Sequence, residues 1–344
     1  MKAHVLITDG QTFPVCRDRL FWGIGTTSSP KSLKEWIRPA SYQKPYLKML
    51  VDMLGMHIGD VVFLYERQAG FHGVYKVKSD IFFDTDNIVN REGLSVGSQW
   101  PLRVKLECAY YFPKPVPEDL LFSTSHYENV FWIWAYRKSQ GPRGCNTITP
   151  EAAEALIELL VKVNGQAVEY KKFQEYPTRK FEKINFSLVR NDEQLAAEDY
   201  LRGYILNYLR RHNGLEEIFG PSEEIEWVAN NVPYHITQKN IDVLIFHKNY
   251  KYTDIPLRYR YTVVELKKGR AEPKDINQLV KYSQWVAGRL ANGEVEMIQP
   301  IIMAYTFSNQ TLQKAKKVDF NQRGIRTVTY RAKTDSIINF DVIE

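Results

Sequence analysis

The second half of the chain carries two apolar runs that are interrupted by charge at fixed points. Residues 241–245 are Ile-Asp-Val-Leu-Ile, and residues 261–267 are Tyr-Thr-Val-Val-Glu-Leu-Lys. Short apolar runs of this kind, rich in β-branched residues, are typical of buried strands. Because alternate side chains of a strand share one face, Glu265 and Lys267 are expected to point the same way. If the two runs pair as a hairpin, Asp242 lies beside Glu265.

The elements expected around these two runs describe a sheet flanked by helices. Asn191 or Asp192 can cap a helix that runs to about residue 212, and Glu272-Pro273 opens a helix that reaches about residue 290. Strand patterns lie between and after these helices, at residues 224–228, 241–246, 261–266, 301–307 and 325–330, with a short basic helix at 312–318. The second half is therefore predicted to be an α/β domain with a mixed sheet.

Two carboxylates and an ammonium group would meet at one edge of this sheet. Hard divalent cations prefer carboxylate oxygens, and a bound cation stabilises charge on phosphoryl oxygens and activates water. A nearby lysine can orient that water or stabilise transition-state charge. The flanking helices offer Glu198 and Gln278 as further ligands or positioning groups, with the neighbouring Asp199 as the competing choice to Glu198. Taken alone, Asp242, Glu265 and Lys267 would also suit strand ends that form surface ion pairs.

The ordered motif resembles that of a known nuclease family. Asp242, then Glu265-x-Lys267, then Gln278-x-x-x-Tyr282 on a helix is the pattern of the RecB-like branch of the PD-(D/E)XK nucleases. Residues 263–271 are most similar to the nuclease domain of the NucS/EndoMS endonucleases. The resemblance implies a restriction-endonuclease-like fold that uses Mg²⁺ or Mn²⁺. It assigns catalytic roles to Asp242, Glu265, Lys267, Gln278, Glu198 and Tyr282, and metal ligation to Asp242, Glu265 and Glu198.

The first half of the chain is predicted to be a compact domain of short strands with few helices. Strand patterns lie at residues 60–65, 71–77, 100–112 and 131–134, and a turn at Gly70 makes the first two a hairpin. Thr149 and Pro150 are typical of a helix start, and Gly165 of a helix stop. The pattern indicates an α+β domain.

Part of this half resembles the EVE/YTH-like branch of the PUA superfamily. The strand from Gly59-Asp60 to Tyr65, the strand 71–77 and the acidic turn 79–84 match its motifs, with a short helix expected at 42–54. The resemblance implies a β-barrel that binds a flipped, modified base in an aromatic cage. Such a cage stacks aromatic rings on the base and reads its edge with polar groups. The cage candidates are Trp22, Trp36, Tyr65 and Trp100, each of which would also suit the core.

Length and charge agree with two domains. The 344 residues are predicted to form an EVE/PUA-like domain at 1–165, a basic linker at 166–190 and the nuclease domain at 191–344. The net charge of +6 permits a nucleic-acid partner without requiring one.

Several classes of protein are disfavoured by the sequence. The three cysteines lie far apart, which excludes a disulfide framework and a cysteine zinc site. The sequence shows no membrane span and no signal peptide pattern, so a cytoplasmic location without membrane contact is expected. It also contains no G-x-G-x-x-G, Walker or G-x-S-x-G element, so no ATP site is expected.

Three hypotheses of function follow from these patterns. The first is a Mg²⁺-dependent endonuclease of restriction or defence type, whose first domain reads a modified base in double-stranded DNA and whose second domain cuts. The second is a repair nuclease for mismatches or branched DNA. The third is a nucleic-acid-binding protein with an inactive nuclease fold, which the intact Asp242, Glu265 and Lys267 disfavour. A homodimer would supply one active site for each strand, and no residue decides that point.

Overall fold

Two compact units of mixed α and β structure make up the chain, residues 1–185 and 186–344. This computed structural model describes residues 2–26, 32–38, 44–138, 144–178, 181–209, 215–234, 239–249 and 257–343. Within those ranges, no helix combines the length and the hydropathy that crossing a membrane requires.

A mixed sheet forms the centre of the first unit. Its strands are β1 (Ala3–Thr8), β2 (Phe21–Ile24), β3 (Val61–Glu66), β4 (Gly70–Val77), β5 (Phe82–Phe83), β8 (Leu102–Tyr110), β9 (Cys145–Ile148) and β10 (Glu182–Lys183), while β6 (Ile88–Val89) and β7 (Ser95–Val96) pair separately. The sheet order is β10-β5-β8-β4-β3-β1-β9, with β2 on β8. The hairpin predicted at residues 60–77 is confirmed as β3 and β4. The pairings of the described residues leave β9 and β10 as ends of this path, so the barrel stays a prediction.

Helices of the first unit cover this sheet. They are α1 (Thr12–Asp18), α2 (Leu33–Ile37), α3 (Lys44–Leu54), α4 (Ser125–Val130), α5 (Trp132–Lys138) and α6 (Pro150–Asn164). The predicted start of α6 is confirmed, because Thr149 Oγ1 accepts a hydrogen bond from the Ala152 N–H at 3.3 Å. Gly165 ends this helix with a φ of 79°. Of the helix expected at 42–54, residues 42 and 43 lie outside the described ranges.

The strand predicted at residues 131–134 is wrong, because these residues form a turn and the start of α5. Thr124 caps the preceding α4 by accepting the N–H of Tyr127, so the chain enters this region already helical. The ring of Trp134 then packs against Tyr65 and Phe71 at centroid distances of 4.9 and 5.1 Å. Burial of a large aromatic on a helix satisfies the same apolar pattern that a short strand would.

Much of the segment expected to be a linker packs into the first unit. Tyr170 contacts Tyr111 at a centroid distance of 4.4 Å, and its hydroxyl donates to Asp18 Oδ1 at 2.7 Å. Tyr176 is 4% exposed and accepts a hydrogen bond from Arg103 at 2.8 Å. Aromatic burial therefore holds residues 170–176 on this unit, although their charge is typical of a linker.

A six-stranded mixed sheet forms the centre of the second unit. Its strands are β13 (Ile225–Tyr234), β14 (Lys239–Asn249), β15 (Leu257–Ala271), β16 (Ile298–Phe307), β17 (Arg326–Ala332) and β18 (Ile338–Ile343). Two short strands, β11 (Arg190–Asn191) and β12 (Gln194–Leu195), precede it in the chain. The sheet order runs from β13 to β18 in sequence, and β11 pairs only with β12. The β15–β16 and β16–β17 pairs are parallel, and the other pairs are antiparallel. Helices α7 (Glu198–Tyr208), α8 (Glu216–Phe219), α9 (Pro273–Leu290) and α10 (Asn309–Lys317) accompany the strands.

Two details of this unit differ from the sequence prediction, and a third is untested. The helix expected from residue 191 begins only at Glu198, because residues 190–195 form the β11–β12 pair. Residues 210–214, where that helix was expected to end, lie outside the described ranges. Strand β18 was not predicted, although residues 338–342, Ile-Asn-Phe-Asp-Val, alternate between apolar and polar side chains, as is typical of a strand.

Candidate active site

The pairing of β14 with β15 brings two carboxylates to one place. Val243 pairs with Val264, so Asp242 and Glu265 occupy the next positions of the two strands. Asp242 is 8% exposed and Glu265 is 1% exposed. One oxygen of Asp242, Oδ2, accepts a hydrogen bond from the backbone N–H of Leu266 at 2.8 Å. The backbone of β15 thus holds the Asp242 carboxylate beside Glu265.

The Glu265 carboxylate has one well-bonded oxygen and one without a partner. Lys267 Nζ donates to Oε1 at 2.5 Å, which places both side chains on one face as predicted. Gln278, which projects from α9, donates to the same oxygen at 2.9 Å. Oε2 is buried and has no hydrogen-bond partner among the described residues. A buried carboxylate oxygen in this condition is costly unless a cation or donor joins it.

Helix α7 adds a third carboxylate and an arginine to the site. Glu198 is the first residue of α7, and Arg202 follows one turn later. Arg202 Nη2 donates to Asp242 Oδ1 at 2.6 Å and lies 3.4 Å from Glu198 Oε1, while Nη1 donates to Asp199. The predicted ligand Glu198 therefore reaches the cluster together with Asp199, the competing choice on this helix, and with Arg202, which the sequence did not single out. Their spacing of three and four residues along α7 was the available signal.

Burial and mutual repulsion raise the pKa of two carboxyl groups in the cluster. Burial, and then the charge of Asp242, raise the pKa of Glu265 to about 8. The same two causes raise the pKa of Glu198 to about 7. Burial would lower the pKa of Lys267, but the charge of Glu265 outweighs it and raises that pKa. Glu198 and Glu265 therefore keep a proton to a higher pH than a free carboxyl group does, because Arg202 and Lys267 offset the negative charge of the cluster only in part.

Tyr282 lies beside the cluster on α9, one turn beyond Gln278. It is 2% exposed, and its ring contacts Tyr234 at a centroid distance of 4.9 Å. Burial, and then the charges of Glu265 and Asp242, raise the pKa of its hydroxyl. Tyr282 therefore stays protonated near neutral pH and is available as a hydrogen-bond donor rather than as a base.

The donors of the cluster fit a hard divalent cation in chemistry. All three predicted ligands, Asp242, Glu265 and Glu198, offer carboxylate oxygens, and no described residue bonds Oε2 of Glu265. Among the described residues, however, no three His, Cys, Asp or Glu side chains are grouped closely enough to hold a metal ion. Arg202 bonds Asp242 and approaches Glu198, so a guanidinium group occupies the space between two of the three carboxylates.

A separate cavity of about 310 Å³ lies in the first unit. Two of the predicted cage aromatics, Trp22 and Trp100, line it. Trp22 donates from Nε1 to the Ile7 carbonyl at 3.1 Å, which fixes its ring. Such a volume is within the range of small-ligand pockets.

The other two cage candidates do not line this cavity. Trp36 is 0% exposed and packs on Tyr46 at a centroid distance of 5.1 Å. Tyr65 packs in the core against Phe71, and its hydroxyl donates to Glu118 at 2.9 Å. Both are core aromatics here, and neither position was distinguishable from a cavity position by sequence pattern.

The cavity also contains charged residues that the sequence analysis missed. Asp9 and Arg67 both line it. Burial would raise the pKa of Asp9, but hydrogen bonds from Thr12 and the Gln11 N–H outweigh it and lower that pKa. The Asp9 carboxylate therefore stays ionised and held in place, as an acceptor at the edge of an aromatic cavity.

Arg103 holds the wall of the cavity that carries Trp100. Its side chain is fully buried, and its Nε donates to the Trp100 carbonyl at 2.9 Å. Nη2 donates to the carbonyl oxygens of Asp86 and Gly97 at 2.7 and 3.2 Å, and Nη1 lies 3.2 Å from Asp84. One guanidinium group thus fixes the loop that places the Trp100 ring.

Comparison with known proteins finds distant structural likenesses only. No protein-family model and no curated protein matches the chain. The human THYN1 protein in complex with DNA containing 5-methylcytosine is 11% identical, with a TM-score of 0.27, covering 46% of this chain and 98% of that one. EndoMS in its apo form is 14% identical, with a TM-score of 0.21, covering 72% and 74%. Rpa0253 from Rhodopseudomonas palustris is 11% identical, with a TM-score of 0.30, covering 46% and 92%. These TM-scores are too low to assign a function to this chain.

Proposed function

We propose that the second unit is a metal-dependent DNA endonuclease and that the first unit binds a flipped, modified base. The observation that carries the nuclease proposal is the convergence of Asp242, Glu265 and Lys267 at one edge of the β14–β15 pair, with Gln278 on Glu265. Surface ion pairs, the alternative interpretation of this triplet, do not bury a glutamate to 1% exposure. A buried pair of carboxylates beside a lysine is better suited to phosphodiester hydrolysis than to surface ion pairing.

Each residue of the site has its own role in the proposed reaction. Asp242 and Glu265, joined by Glu198, would hold Mg²⁺ or Mn²⁺, which supplies charge stabilisation at the phosphate and activates water. Lys267, at the open side of Glu265, orients the attacking water or stabilises the charge that develops on the phosphate. Gln278 keeps Glu265 in place through its hydrogen bond, and protonated Tyr282 donates a hydrogen bond nearby.

The cavity of the first unit supports the modified-base part of the proposal. Trp22 and Trp100 supply rings for stacking, and Asp9 supplies an acceptor for a base edge. We propose that this unit selects the DNA and that the second unit cuts it, which is the division expected of a modification-dependent restriction enzyme.

Cleavage assays with active-site variants test the proposal. Wild-type protein with Mg²⁺ or Mn²⁺ is expected to cut DNA from a panel of plain, cytosine-modified and mismatched duplexes. Asp242→Asn and Glu265→Gln should each lower the rate by about a thousandfold, because each removes a carboxylate that would hold the cation acting on the phosphate. Glu226→Gln is the matched control, since Glu226 is an 8% exposed carboxylate of the same sheet that pairs with Lys248 and Arg258 outside the site.

Three results of this assay have different meanings. Preference for modified duplexes supports the proposal as a whole. Preference for mismatched duplexes irrespective of modification would replace it with the repair hypothesis. If wild-type protein leaves every duplex intact with both metals, the nuclease proposal is wrong.

A further inference from the structure

Arg202 makes the largest set of charged contacts in the carboxylate cluster. Its side chain is 6% exposed, and its guanidinium group donates to Asp242 Oδ1 at 2.6 Å and to Asp199 from the other terminal nitrogen. The nitrogen that bonds Asp242 also lies 3.4 Å from Glu198 Oε1. One arginine thus bonds two acidic side chains and approaches a third.

Arg202 supplies positive charge between two of the three proposed metal ligands, Asp242 and Glu198. Like charges this close repel strongly unless a counterion lies between them. The positive charge of Lys267 lies beside Glu265, and that of Arg202 lies beside Asp242 and Glu198. The guanidinium group therefore bonds Asp242 and approaches Glu198, which are two of the three proposed metal ligands.

Asp199 gives Arg202 a partner outside the proposed ligand set. Nη1 is bonded to Asp199 independently of the Nη2 contacts. The third nitrogen, Nε, is buried without a hydrogen-bond partner among the described residues. Arg202 can therefore give up Asp242 and Glu198 while it remains paired with Asp199, and no charge is left isolated.

We propose that Arg202 is the internal counterion of this metal site, which holds Asp242 and Glu198 until a divalent cation displaces its Nη2 contacts. The inference rests on the proposed function only in assuming that the carboxylates bind a divalent cation. Arg202 and the cation compete for Asp242 Oδ1, and Asp199 retains the arginine after the exchange. Arg202 is accordingly a positioning residue that tunes metal affinity.

If Arg202 and the cation compete for the same carboxylates, Arg202→Gln and Asp199→Asn should change the affinity for Mn²⁺ in opposite directions. Arg202→Gln removes the competing charge and should bind Mn²⁺ about tenfold more tightly, although Asp242 loses its orientation and DNA cleavage should slow about tenfold or more. Arg202→Lys keeps the charge without the two-pronged contact and should lie between wild type and Arg202→Gln. Asp199→Asn removes the partner that retains Arg202, so it should bind Mn²⁺ more weakly than wild type.

Titration calorimetry with MnCl₂ alone, on the full-length chain without DNA, measures these affinities. Arg258→Gln is the matched control, because Arg258 forms a partly buried ion pair with Glu226 in the same sheet and away from the site. It should leave Mn²⁺ affinity unchanged. Because Asp199→Asn keeps the volume of the side chain, it supplies a second measurement if Arg202→Gln does not fold.

Affinity and cleavage separate this inference from the proposed function. Tighter Mn²⁺ binding by Arg202→Gln, together with weaker binding by Asp199→Asn, supports the counterion role whether or not DNA is cut. If wild-type protein cuts DNA but Arg202→Gln binds Mn²⁺ equally or less tightly, the inference fails and the nuclease stands. Absence of Mn²⁺ binding from all variants overturns the inference whatever the DNA results.

Discussion

His247 shows how a single buried residue links the stability of the second unit to pH. It is 0% exposed in β14, and its Nε2 contacts Thr262 Oγ1 at 2.8 Å. Arg260 Nη2 lies 3.0 Å from Nδ1, which fits a neutral ring that accepts at Nδ1 and donates at Nε2. Burial, and then the charge of Arg260, lower the pKa of His247 to about 3. The native state therefore keeps this ring unprotonated well below the usual range.

This depressed pKa predicts acid sensitivity. Below its ordinary value of 6.5, His247 takes up a proton in the unfolded chain but not in the native state, so stability falls as the pH drops from 6.5 towards 3. One such proton lowers the free energy of unfolding by up to about 1.4 kcal/mol per pH unit. Urea unfolding at several pH values should show this slope, and His247→Gln should reduce it.

His126 provides the matched control for that measurement, because its side chain is exposed. His126→Gln should keep the wild-type slope. An unchanged slope in His247→Gln would show that other groups, such as the partly buried His72, control the acid sensitivity.

At the scale of the elements, the junction of β3 and β4 depends on one glycine. Gly70 has a φ of 132°, and a Cβ atom there would lie 2.2 Å from the carbonyl oxygen of Val116. The next residue, Phe71, exchanges two backbone hydrogen bonds of 2.9 Å with Val116. The hairpin can therefore approach residue 116 this closely only without a side chain at position 70.

Two glycine substitutions distinguish the effect of a steric clash with residue 116 from the effect of backbone strain on the free energy of unfolding. Gly70→Ala should lower the free energy of unfolding by about 3 kcal/mol or more, because backbone atoms must move to admit the methyl group. Gly93→Ala is the matched control, since Gly93 also has a positive φ, 81°, but has open space at its Cβ position. It should cost only about 1 kcal/mol. Equal losses in denaturant unfolding would mean that strain alone, and not the contact with Val116, makes Gly70 necessary.

Helix α9 shows which parts of an element local sequence decides. Pro273 follows Glu272, whose side chain forms a capping box with Asp275, so the predicted start is confirmed. A spacing of four residues then places Gln278 and Tyr282 on one face. The predicted strand at residues 131–134 failed because four aromatic and apolar residues suit a buried helix turn as well as a strand.

At the scale of the whole molecule, the proposed function divides binding and cutting between the units. The candidate active site lies in residues 186–344 and the aromatic cavity in residues 1–185. Trp100→Ala should weaken binding to modified DNA about tenfold or more, because one stacking surface is lost, while cleavage of plain DNA stays near wild type. Asp242→Asn should slow cleavage by about a thousandfold and retain the binding preference.

Filter binding and cleavage measured on the same duplexes test this division. Trp36→Phe is the control for the cavity, because Trp36 packs on Tyr46 away from the lining residues. It should leave the preference for modified DNA intact. If Trp100→Ala slows the cutting of plain and modified duplexes equally, the cavity does not select the substrate.

The sequence by itself determined the local part of the candidate site. Alternation along β15 placed Glu265 and Lys267 on one face, and helical spacing placed Gln278 and Tyr282 together on α9. The apolar runs predicted β14 and β15 as strands and left their pairing as a condition, and the structure pairs them so that Asp242 lies beside Glu265. The shared faces on β15 and α9 depend only on a few neighbouring residues and on the repeat of a strand or a helix, so they can be predicted without a structure.

Only the tertiary structure decided the contacts that join distant segments. Arg202 reaches Asp242 across 40 positions, and aromatic contacts attach residues 170–176 to the first unit. Packing also decides that Trp22 and Trp100 line the cavity, whereas Trp36 and Tyr65 lie in the core. The physical reason is that periodicity shows which side of an element is buried, whereas the partner that buries it depends on how the elements assemble.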